Sequence, residues 1–115
     1  MKVDILGTPY DFVVDDSNYL ESHNADGVMF FYQKNIRIRA FDELLGPDDP
    51  PEAKEARVKE VVRHEIIHAF FHESGLYQYG DDEQLVTWLA IQFPKMLAAF
   101  VATRAIETTG GGVDG

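Results

Sequence analysis

The segment VVRHEIIHAFFHESGL, residues 61–76, sets two histidines and a glutamate inside the most apolar run of a 115-residue chain. Buried polar groups left without partners cost on the order of a few kcal/mol each. A helix built on this run must therefore give His64, Glu65 and His68 something to do. An α-helix turns about 100° per residue, so His64 and His68 share one face, one above the other. Their imidazoles can converge on one ion at roughly 2.0–2.1 Å each. Glu65 lies one step round from His64, beside such an ion. A carboxylate there can take a proton from water that the metal activates.

Chance is a weak explanation for this H-E-x-x-H pattern. With four His and nine Glu in the chain, shuffling produces it roughly once per hundred trials, a false-positive risk such motifs always carry. Val61, Val62, Ile66, Ile67 and Phe70 flank the motif, which predicts a central, buried helix. The plainer alternative is a pair of core histidines bonded to backbone carbonyls.

Zinc in a catalytic site takes a third protein ligand and keeps one position open. In an unbroken helix the Cα of His72 rises about 12 Å from that of His64, which places it as a cleft-lining residue. Glu73, nine residues after His64, falls on the far side of the helix and reads as a helix-terminal structural carboxylate. Glu83 is the better candidate: a helical hairpin would return the first turn of the next helix alongside the end of the motif helix. Asp81 and Asp82 read as helix-start acids favoured by the dipole.

The rest of the chain organises around this helix. KVDILGTPYDFVVDD is β-rich with Gly7 and Pro9 as interruptions, and GVMFFYQKNIRIRAF holds two runs divided by QKN. Ile36 and Ile38 alternate with Arg37 and Arg39, as in a strand with one wet face. The expectation is a three-stranded antiparallel sheet, a turn at NADG, and a loop at GPDDPPEA that leads into one helix over residues 52–74. Pro51 suits its first turn and Gly75 its end. A second helix begins near DDEQ, with Asp81 as cap and Gln84 reaching back, until Pro94 kinks or breaks it. KMLAAFVATRAIE forms a third helical piece. Residues 1–107 are expected to form one domain, and 108–115 a disordered tail.

A net charge of −10 opposes binding to nucleic-acid backbones and anionic membranes. There is no cysteine, hence no disulfide framework or thiolate site, and any metal must be held by His, Asp or Glu. No signal-peptide-like run opens the chain and no 18-residue apolar stretch is found, so the expected location is cytoplasmic.

RHEIIHAFFHESGL followed by DDEQLVTWLAIQFPKM resembles small phage- and prophage-encoded zinc metallopeptidase-like proteins, relatives of the ImmA/IrrE group within the zincins. With DGVMFFYQKNIRIR upstream, the resemblance covers roughly residues 3–99. It implies an α+β, minimal zincin-like fold: a small antiparallel sheet packed on a central HExxH helix and a C-terminal helical segment. It implies Zn2+ held by His64, His68 and Glu83, with Glu65 as general base in peptide-bond hydrolysis in the cytosol of a phage's host. Tyr77, Tyr79 and His72 remain alternatives for stabilising the oxyanion. In zincins the strand nearest the active helix holds an extended peptide by main-chain pairing; here that strand would be residues 34–40, serving as an edge. The chain departs from larger zincins in lacking a second lobe. The competing expectation is a zinc-stabilised phage protein without turnover that binds a host protein.

Overall fold

The computed structural model describes residues 1–107. The tail at 108–115 lies outside the described residues.

The fold is α+β, with four strands where three are expected. Gly7 is the reason. Leu6 and Gly7 both take positive φ, 51° and 88°, the backbone of a two-residue hairpin whose twist matches its strands. The opening segment thus becomes β1 (Lys2–Ile5) and β2 (Thr8–Val14), paired antiparallel with Ile5 opposite Thr8. A single helical turn, α1 (Tyr19–Ser22), intervenes before β3 (Gly27–Phe30) and β4 (Asn35–Ile38).

The order across the sheet is β1-β2-β4-β3. It is mixed, not purely antiparallel: β2 and β4 run parallel, with Asp11 opposite Asn35 and Val14 opposite Ile38, while β3 and β4 run antiparallel. The strand inside residues 34–40 is therefore interior, its backbone engaged by β2 on one side and β3 on the other. The free edge beside the motif helix belongs to β3. Sequence alternation marks Ile36 and Ile38 as inward-facing but carries no information on which neighbour each edge takes.

One face of the sheet packs on α2 (Pro51–Glu73). Ile5, Tyr10, Ile36 and Ala69 are fully buried together, with Met29 and Ile66 packed against them. Pro51 opens α2 at a position where no amide donor is needed. At the other end the Gly75 amide donates to the His72 carbonyl and the Leu76 amide to that of Phe71, at 3.1 and 2.9 Å. With Gly75 at φ 75°, this is a Schellman closure. Only Val61, Glu65 and Ala69 of α2 are buried. Phe70 is 42% exposed, so the helix is less enclosed than its sequence suggests; sheet and neighbouring helix cover two sides of it and leave a third open.

A short α3 (Tyr77–Gly80) leads into α4 (Glu83–Ala102). The cap of α4 is Asp82, whose side chain accepts from the Leu85 amide at 3.1 Å, one residue later than expected. Nor does Pro94 end the helix. Proline removes the amide that would have bonded the carbonyl of Ala90, four residues back. Arg63 Nε of α2 donates to that carbonyl at 2.6 Å, and α4 continues to Ala102. By length and composition α4 is also apolar enough to cross a membrane, because Gln84, Thr87, Gln92 and Lys95 interrupt its apolar run without outweighing it.

Candidate metal centre

α2 and the first turn of α4 bring His64, His68 and Glu83 together. One ligand atom from each lies within 4.8 Å of the others. Nε2 of His64 is 3.1 Å from Oε2 of Glu83, Nε2 of His68 is 2.8 Å from Oε1, and the two Nε2 atoms are 3.1 Å apart. Tetrahedral zinc with bonds near 2.0–2.1 Å separates its donors by roughly 3.3 Å. The observed spacings fall a few tenths short, so a small outward movement of the three side chains would admit the ion.

The protonation pattern suits the same purpose. A carbonyl oxygen can only accept, so the 2.7 Å contact between His68 Nδ1 and the Gly80 carbonyl puts the proton on Nδ1. The Nε2 lone pair of a neutral His68 then faces Glu83. Outer hydrogen bonds of this kind orient metal-ligating imidazoles. Burial, followed by the neighbouring His68, holds His64 below its ordinary pKa, with Glu83 opposing. These effects, with a smaller one from Arg57, favour the uncharged ring, the form that can ligate.

Glu65 stands beside the donors in the buried stripe between Val61 and Ala69 and is 7% exposed. β3 passes so close that a Cβ on Gly27 would lie 3.0 Å from both Cγ and Oε2 of Glu65. Desolvation, then the charge of Glu83, pushes the Glu65 carboxyl up to about 8, with Arg57 opposing.

The centre lies between two open clefts. One, of about 520 Å³, is lined by Asp26, Arg57, Glu60 and Thr87; the other, of about 370 Å³, by Met29, Phe31, His72 and Asp81. Gly27, His64, Glu65 and Glu83 border both. In the first, Arg57 is committed to Asp26 at 2.8 Å and to Glu60. In the second, His72 Nε2 is 3.2 Å from Asp81 Oδ1, with its ring against Phe31 and Tyr77.

His72 is thus in the cleft but outside the converging donors. Glu73 is away from the centre: it accepts from Tyr10 and Lys34 at 2.6 Å each and ties the end of α2 to the sheet. Among the oxyanion candidates, the second cleft is lined by His72, whereas Tyr77 and Tyr79 are about half exposed. The sequence reading missed Gly80, which acts through its carbonyl and a close approach: a Cβ there would come within 2.7 Å of His72. It also missed Gly27. A glycine opening a strand was the only available signal for that contact.

Compared with protein-family models, curated proteins and solved structures, the chain matches none.

Proposed function

We propose that this protein is a small zinc-dependent peptidase of the zincin type, acting on an extended protein or peptide segment. The observation that carries the reading is the convergence of His64, His68 and Glu83 beside a buried Glu65, between two open clefts. Zinc bound there would supply a Lewis acid that activates water and polarises the scissile carbonyl. The donor set, two imidazoles and a carboxylate without thiolate, suits zinc.

The residues of the chain do the rest. Glu65 takes a proton from the attacking water and delivers it to the departing amine, so that water adds across the amide. A carboxyl at about 8 is mostly protonated at neutral pH. A dication among the donors would offset the Glu83 charge and restore the carboxylate that a base must be. β3, with one edge unpaired among the described residues, is the strand that would hold substrate by backbone pairing. His72, which lines the second cleft, is the side chain we assign to the oxyanion. We assign the protein to the cytosol, that of the host if a phage encodes it.

The test compares wild type with Glu65→Gln after purification without chelator. Both should hold about one zinc per chain, and the variant should cleave a peptide library 10²–10⁴-fold more slowly, roughly what a general base contributes. Full activity in the variant would remove Glu65 from the mechanism. Zinc in both with cleavage by neither would favour a zinc-stabilised binding protein, and a chain without zinc would end both readings.

A further inference from the structure

The apolar stripe that seats α4 on the domain continues after the domain has ended. Val86 and Ala90 are fully buried, whereas Phe93, Leu97 and Phe100, the next positions at three- and four-residue spacing, are 44%, 39% and 40% exposed. On the other side of the same helix Trp88 and Ile91 are 53% and 43% exposed. A helix apolar on every side is normally buried. In its most apolar window only about a tenth of the residues are buried.

We propose that a second copy of this chain covers it, through an isologous pairing of the two α4 helices. Three observations select that occupant. First, the chain carries both halves of the contact. Beside the stripe lies a groove of about 360 Å³ lined by Ile66, Ile67, Phe70, Phe93 and Arg63, whose Nε is turned to the Ala90 carbonyl, so a two-fold axis sets helix on helix and the flank of one on the groove of the other.

Second, charge permits approach here. The chain carries −10, yet Lys95 is the only charged residue in positions 85–103. Two acidic copies can meet on this face without opposing carboxylates. Third, the area suits a pairing that concentration controls. At roughly 200 Å² per large side chain, Phe93, Leu97 and Phe100 with Phe70 expose on the order of 330 Å² on this side of the helix. That is under half of the roughly 800 Å² per partner of a stable interface and matches a weak, concentration-dependent dimer.

A bilayer fits less well. Glu83 holds the start of α4 at the metal centre and Val86 and Ala90 are packed on α2. The free part, positions 91–102, spans about 18 Å at 1.5 Å per residue, short of a hydrocarbon core of roughly 30 Å.

Sedimentation of the full chain across a wide concentration series tests the inference, alongside Leu97→Glu and Phe100→Glu. Both positions are partly exposed in the single chain, so these variants should keep the wild-type circular dichroism. Wild type should reach twice the 13.0 kDa of the chain, and either variant should weaken association at least 100-fold. A wild type that stays at 13.0 kDa throughout, or variants that associate as well as wild type, would overturn the proposal. So would a monomer that floats with phosphatidylcholine vesicles and loses this with Phe100→Glu, which would assign the face to lipid.

Discussion

His68 and Gly80 are joined by a hydrogen bond from Nδ1 to the carbonyl oxygen at 2.7 Å, and that bond settles which nitrogen of His68 faces Glu83. The same glycine lets α3 pass over α2, since a methyl there would press on His72 Cδ2 at 2.7 Å and Phe71 Cβ at 3.0 Å. Gly80→Ala should displace the carbonyl and loosen His68 while leaving all three proposed ligands in the sequence. Loss of an outer-shell partner typically lowers metal affinity about 10–100-fold. Zinc titration against a chelator of known affinity reads the effect, and unchanged affinity would mean that the Gly80 contact does not orient the ring.

Zinc held by these donors would stabilise the fold. They lie on α2 and α4, so an ion that binds the folded chain alone holds the two helices together. At a free concentration 100 times its dissociation constant, zinc adds about 2.7 kcal/mol. For a domain of this size that corresponds to a rise in Tm of roughly 10–20 °C. Glu83→Ala should abolish most of the rise, and His72→Ala should keep it. A His72→Ala variant that loses the zinc response would place His72 among the ligands.

The residues of the candidate site were legible because helical spacing is rigid. Two imidazoles four residues apart share a face whatever surrounds them, and a short connection after Gly75 returns Glu83 to that face. Their chemical roles remain a proposal. The sheet was less legible because strand neighbours are chosen by contacts remote in sequence. Ile36 and Ile38 reveal which face of β4 is inward, but its parallel pairing with β2 depends on how the chain crosses through α1 and β3. Pro94 misled for a related reason. Its effect on the helix was offset by Arg63, thirty-one positions earlier, and no local pattern shows that.

The metal-free chain should have a distinctive dependence on pH. Glu65 sits at about 8 when folded, against an ordinary 4.5. Between those values the folded state keeps a proton that the unfolded state has released. This contribution is fully present below 4.5 and is lost as pH rises through 8, at up to about 1.4 kcal/mol per pH unit. His64, held below 6.5, works the other way as it deprotonates. Glu73, lowered first by its bond from Lys34 and then by that from Tyr10, opposes at acid pH. Subtracting Glu65→Gln isolates the Glu65 part. In chelator, urea unfolding should give a wild-type stability that falls relative to the variant from about pH 4.5 to 8, by on the order of a few kcal/mol. A difference constant across that window would show that Glu65 does not titrate as its burial requires.

Arg63 and Pro94 act on one carbonyl. Pro94 cannot bond the Ala90 carbonyl, and Arg63 Nε does so instead at 2.6 Å. Removing the donor by Arg63→Met leaves a polar oxygen at a residue that is fully buried, a loss of about 1–3 kcal/mol. In a Pro94→Ala chain the alanine amide can take that carbonyl over as an ordinary helical bond. The cost of Arg63→Met should then fall to less than half. Both single variants and the double variant, compared by denaturant unfolding, complete the cycle. Additive losses would show that Arg63 steadies α4 through some contact other than the carbonyl that proline sets free. A positive coupling of about 1 kcal/mol would identify that bond as the reason one helix carries both Glu83 and the apolar arm beyond Pro94.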